Sequence, residues 1–93
     1  MNQEELVKEF LNGKKEGVCS GQGNLKIFGN QLVHYNTVIA ERVKDSLILN
    51  ITRYSLVTGR IQKMVKENAR DITIIEVKRI PENTRDSLVN FIK

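Results

Sequence analysis

Between Asn24 and Thr52 the chain runs through four short β-type segments, LKIF, QLVHY, TVIAERV and SLILNIT, separated by Gly29-Asn30, Asn36 and Lys44-Asp45. These gaps suit tight hairpin turns and are far too short for crossover helices, so neighbouring segments must pair antiparallel as a meander. Side-chain alternation then assigns faces. Leu47, Leu49 and Ile51 should point one way with Ile48 and Asn50 the other, while Val38, Ala40 and Arg42 should oppose Ile39, Glu41 and Val43. Apolar residues fall on both sides near the middle of each segment, so the sheet should be covered on both faces there.

The flanking segments change period. Gln3 to Asn12 places Leu6, Val7, Phe10 and Leu11 on one helical stripe, with Glu4 and Glu5 near the positive end of the dipole and Gly13 just past the last turn. Lys14 to Gly23, punctuated by three glycines, reads as a loop or an irregular edge strand around Val18 and Cys19. After the meander, Arg53 to Arg70 has helical periodicity, with Ser55 or Thr58 as its cap. DITIIEVKRI is then a strongly β-branched strand closed by Pro81. Asn83 and Asp86 form a weak capping box before a terminal helix carrying Leu88, Val89, Phe91 and Ile92. The expected fold is α+β: an antiparallel four-strand meander plus one further strand, with N-terminal, central basic and C-terminal helices packed on it. A chain of 93 residues accommodates one domain, 1–93.

Charge singles out the central helix. The segment 53–70 holds Arg53, Arg60, Lys63, Lys66 and Arg70 against Glu67 alone, a surplus of four that equals the formal charge of the whole chain. The remainder of the chain is neutral, with ten basic and ten acidic residues. At about 100° per residue, Val57, Ile61, Met64 and Val65 share one side of the wheel, and Arg60, Lys63, Lys66 and Arg70 lie largely opposite. Cations gathered on one helical face can neutralise several backbone phosphates; a solvated helix face is the plain alternative. Where the meander hands over to this helix, Asn50, Tyr54 and Ser55, with Thr52 and Arg53, can position the helix start and satisfy its orphan N–H groups.

Other chemistry finds little support. The glycines at 17, 21 and 23 lack both the third glycine of a dinucleotide fingerprint and a following helix, and Gly13-Lys14 has neither the preceding glycine nor the following hydroxyl of a phosphate loop. With one cysteine and one histidine there is no internal disulfide and no zinc spacing, so neither metal nor cofactor is expected. Cys19, His34 and Glu41 could be cast as nucleophile, base and orienter, yet nothing around Cys19 lowers its thiol pKa. His34 is better read as a half-buried hydrogen-bonding residue, and Glu41 and Arg42 as cross-strand partners. Few aromatics argue against a stacking platform for single-stranded nucleic acid. No run of about 18 apolar residues and no leader-like start occurs, so the expectation is a cytoplasmic protein without membrane contact.

The order of motifs GNLKIFGNQLVHYNTVIAER and LILNITRYSLVTGRIQKMV resembles a small domain of unknown function found in phage, plasmid, bacterial and archaeal proteins. In that domain Gly-Asn, a hairpin, Tyr-x-Thr-x-Ile-Ala, and then Asn, Tyr-Ser and a Thr-rich helix start follow one another. The resemblance runs roughly from Gly23 to Val65 and rests on Tyr35, Thr37, Ile39, Ala40, Asn50, Tyr54, Ser55, Thr58 and Gln62. The chain departs from it with Val38 where proline is frequent and Gly59 where serine is frequent. The resemblance implies mobile-element origin and no particular activity. Small proteins of that kind commonly bind DNA or RNA, or bind and block a host protein. The resulting expectation is a non-enzymatic module that contacts nucleic-acid phosphates through Arg53, Arg60, Lys63, Lys66 and Arg70. The alternative is docking of an acidic host protein, and exposed strand edges leave a homodimer open.

Overall fold

The computed structural model describes residues 2–18 and 24–92. Its elements in chain order are α1 (Gln3–Leu11), β1 (Glu16–Val18), β2 (Leu25–Phe28), β3 (Gln31–His34), β4 (Thr37–Val43), β5 (Ser46–Asn50), α2 (Leu56–Asn68), β6 (Thr73–Val77) and a closing 3-10 turn, η1 (Leu88–Phe91). The strands form one mixed six-stranded sheet in sequence order. The expected meander is present as β2 to β5, antiparallel throughout. It is extended at one edge by β1, and at the other by β6, which pairs parallel to β5 because α2 carries the chain back to the same end of the sheet.

The α1 helix starts in a reciprocal cap: Asn2 Oδ1 accepts the Glu5 N–H at 2.8 Å, and a Glu5 carboxylate oxygen accepts the Asn2 N–H at 3.2 Å. Gly13, at φ +100°, takes the left-handed position that turns the chain out of the helix. Leu6, Val7 and Phe10 are buried against the sheet. The approach is close at Gly17, where an added Cβ would sit 3.0 Å from Leu6 Cδ1. A side chain at that position would require Leu6 to give way by a few tenths of an ångström.

Each face of the sheet has its own core. On one, α1 and α2 bury Leu25, Ile27, Leu32, Ile39, Ala40, Leu47 and Leu49 together with Ile61 and Val65. On the other, Val33, Val38 and Ile48 pack with Val77, Ile80 and Leu88 beneath the segment that follows β6. Simple alternation holds along β5 but breaks in β4. Leu32 pairs with Ala40 while Val33 pairs with Val38, so Ile39 is an extra residue bulged out of the ladder. The bulge shifts the phase. Val38 faces the second core, whereas Ile39 and Ala40 both face the helices. The expected grouping of Val38 with Ala40 and Arg42 is thereby corrected.

The expected terminal α-helix is also corrected. The backbone at 83–84 is held by β4, with Asn83 N–H donating to Thr37 Oγ1 at 2.8 Å and Val38 N–H to Thr84 O at 3.0 Å, and Asn83 lies at φ +65°. A helix cannot start there, so Asn83 and Asp86 form no capping box. The chain crosses the second face as an irregular segment with a turn at Glu82 and Asn83 and makes only the short turn η1, capped by Ser87. The Glu41 carboxylate, reaching from β4, accepts the Ser87 hydroxyl at 2.6 Å and the Leu88 N–H at 2.9 Å. Its Oε1 also accepts from the Gln31 side chain across the strand pair, the cross-strand role expected of it.

Candidate functional site

The start of α2 is built from polar residues that the sequence placed together at the β5 exit. Asn50 is fully buried. Its amide donates to Val38 O at 3.0 Å and to the Tyr54 hydroxyl at 2.9 Å, and its Oδ1 accepts the Thr52 N–H at 3.0 Å. The Tyr54 hydroxyl donates to Ile80 O at 2.6 Å, and Ile80 N–H donates back to Thr52 Oγ1 at 3.0 Å. From the helix, the Gln62 amide donates to the carbonyls of Asn50 and Thr52 at 2.6 and 2.9 Å. This network satisfies the buried polar groups and fixes the angle at which α2 leaves the sheet.

Ser55 is the N-cap, its hydroxyl oxygen accepting the Thr58 N–H at 3.2 Å. Thr58 Oγ1 then meets Ser55 Oγ at 3.1 Å and His34 Nδ1 at 2.9 Å. His34 is buried, and burial lowers its pKa below the ordinary imidazole value by disfavouring the charged form. A neutral ring accepts from Thr58 Oγ1 or donates to it through Nδ1 according to its tautomer. Tyr35 packs edge-on to His34 with ring centroids 4.6 Å apart, at a backbone φ of +56° that non-glycine residues seldom adopt. His34, Tyr35, Thr37, Tyr54, Thr58, Glu82 and their neighbours enclose a cleft of about 260 Å³ at this junction. Glu41 lies on the opposite side of the sheet, bonded to η1, and cannot orient the imidazole. Cys19 lies outside the described residues.

The cations sort into two groups. Arg53, Arg60, Lys63 and Lys66 line one open groove of about 780 Å³ along α2, with Ile51, Tyr54 and Leu56 supplying apolar wall. On the helix these are positions 56, 59, 60, 63 and 66, a single face at steps of three and four. Gly59 lies in the middle of that face, and nothing approaches within 4 Å of where its Cβ would be. Among the described residues, Arg53, Arg60 and Lys63 have no carboxylate partner, whereas Lys66 Nζ pairs with Glu76 on β6 at 3.1 Å. Arg70 does not join them. It follows the helix C-cap Ala69, its Nε donates to Glu67 O at 3.2 Å, and it borders a separate recess with Asp71 and Asn12. The expected set of five is therefore a groove of four plus one remote residue.

The wheel missed the apolar part of this groove. The buried face of α2 is Thr58, Ile61 and Val65, with Val57 turned outward and Leu56 left 84% exposed. Hydrophobicity could not indicate that Thr58 points inward, because what holds it there is its hydrogen bond to His34. Among the described residues no group of three or more His, Cys, Asp or Glu side chains is placed to hold a metal ion, and no helix is long and apolar enough to cross a membrane.

No protein-family model matches the chain, and no curated protein or solved structure matches it significantly. Tyr35, Thr37, Tyr54 and Thr58 border the His34 cleft, Asn50, Tyr54 and Gln62 share one network, and Ile39 and Ala40 lie in the core.

Proposed function

We propose that this chain is a small non-enzymatic binding module, of the mobile-element kind its motif order suggests, that contacts nucleic-acid phosphates through the α2 groove. One observation carries the reading: Arg53, Arg60 and Lys63 open onto the same groove with no carboxylate partner among the described residues. Unneutralised cations on one side of a rigid helix give a local potential that attracts a polyanion, and the junction network of Asn50, Tyr54 and Ser55 holds that helix in place. Lys66 contributes less, since Glu76 already answers its charge.

The apolar wall of Ile51, Tyr54 and Leu56 favours a second reading, in which an acidic segment of a host protein docks there. Fluorescence anisotropy with a labelled oligonucleotide at about 50 mM salt tests the first. Binding should be lost in Arg60→Glu plus Lys63→Glu and kept in Lys15→Glu plus Lys44→Glu, which changes net charge equally at a distance from the groove. Equal loss in both pairs, or no binding by the native chain, overturns it.

A further inference from the structure

We infer that β6 is the seam of a symmetric homodimer, its free edge pairing antiparallel with β6 of a second copy so that the two α2 grooves face each other across one continuous sheet. The seam stands apart from the phosphate-binding reading; the shared trough above it rests on that reading and deepens it.

The sheet ends at β1 and β6, and the two edges differ. β1 is three residues long and follows Lys14 and Lys15, so it offers little to a further strand. β6 runs for five residues in unbroken register with β5 and contains no proline, lysine or bulge. Its one charge, Glu76, is already answered by Lys66. Val77 O accepts the Ile51 N–H at 2.8 Å, so Val77, Ile75 and Thr73 turn their backbone groups toward β5. By alternation Ile74 and Glu76 turn theirs outward, where the sheet order places no neighbouring strand. A row of unpaired N–H and C=O groups on a β-branched strand is a template for pairing.

A second copy fits this template because β6 is complementary to itself. With the two-fold axis at Ile75, Ile74 of one copy lies opposite Glu76 of the other, and each such pair exchanges both outward N–H···O bonds. The same register sets Asp71, just before the strand, against Arg79, just after it, once on each side of the axis. Neither has an ion-pair partner among the described residues. Moving the axis to Glu76 would oppose two carboxylates, and moving it to Ile74 would separate Asp71 from Arg79.

The geometry also places the grooves. Lys66 reaches Glu76 from α2, so the groove opens on the β6 side of the helix. A two-fold axis normal to the sheet keeps both α2 helices on one face. Three strand spacings, about 14 Å, separate β5 from its mate, leaving a trough walled by Arg60 and Lys63 of both copies. These cations repel one another across the trough, and a polyanion lying between them reverses the sign of that interaction. Oligonucleotide should therefore favour the dimer.

Sedimentation velocity over about a hundredfold range of protein concentration, with and without an oligonucleotide of about six nucleotides, compares the native chain with Ile74→Pro and Glu76→Pro. Proline at either position removes an outward N–H and spares the β5 ladder, and unchanged far-UV circular dichroism establishes that both variants fold. The native chain should dimerise as concentration rises, and at lower concentration with oligonucleotide, while both variants stay monomeric. In chains carrying Cys19→Ser, oxidation should cross-link Ile75→Cys into a dimer and leave Thr73→Cys, whose copies lie about 13 Å apart in this register, monomeric. A native monomer throughout, dimers that survive both prolines, or cross-linking at Thr73 in place of Ile75 overturns the seam. A β6 dimer that oligonucleotide weakens overturns the shared trough alone. A β6 dimer that binds no oligonucleotide overturns the phosphate reading and leaves the seam.

Discussion

Thr58 Oγ1 lies 2.9 Å from His34 Nδ1, joining the first turn of α2 to the end of β3 through a buried hydrogen bond. The bond sets the rotation of the helix. With Thr58 inward, Arg60 and Lys63 face the groove, and Leu56 and Val57 are left outside. It also makes the junction sensitive to acid. Burial lowers the His34 pKa, so the unfolded chain binds the proton more readily than the folded one. Stability should be fully present above the ordinary imidazole value of about 6.5 and decline as pH falls below it. His34→Gln, which keeps a polar group but cannot charge, should flatten that decline between pH 7 and pH 5. Urea midpoints at several pH values check this, and an unchanged slope in the variant would contradict it.

Asn50 should be the most costly polar residue to remove. Its side chain makes three hydrogen bonds from a fully buried position, and truncation strands the Val38 carbonyl and the Thr52 N–H. Asn50→Ala should cost about 2–4 kcal/mol by denaturant unfolding. Ser55→Ala removes only the cap and should cost about 1 kcal/mol. Equal losses in the two variants would mean that the network does not anchor the helix as described.

Gly59 has an effect of the opposite sign. It sits inside α2 with ordinary helical backbone and open space where a Cβ would be. Gly59→Ala should therefore stabilise the protein by about 0.5–1 kcal/mol, read as a higher urea midpoint. A lower midpoint would contradict the open space at this position.

Much of the fold was legible in the sequence, because the meander and both α-helices rest on local signals. Two-residue turns at Gly29-Asn30 and Lys44-Asp45 fix antiparallel pairing without reference to anything distant. What could not be read depends on distant partners. The bulge at Ile39 arises from the fit of β4 onto β3 and reverses the faces of the residues around it. An irregular crossing replaces the expected terminal helix because Thr37 and Val38 take the backbone bonds of Asn83 and Thr84. For the site, helical spacing puts Arg60, Lys63 and Lys66 on one side of α2, and Arg53 lines the same groove. Arg70 lies apart because the helix ends at Asn68, before its position, and the exposure of Leu56 depends on the inward turn of Thr58, which hydrophobic periodicity does not indicate.

Counterion release gives the most direct test of the claim that α2 is a phosphate-contacting surface. The logarithm of oligonucleotide affinity should fall linearly with the logarithm of salt concentration between about 50 and 200 mM, with a slope of about two to three for three phosphates met by Arg53, Arg60 and Lys63. Arg60→Gln and Lys63→Gln should each reduce that slope by about one, and Lys66→Gln by less, because Glu76 already neutralises it. A slope unaffected by Arg60→Gln and Lys63→Gln, or an affinity indifferent to salt, would contradict the assignment of the groove to phosphates.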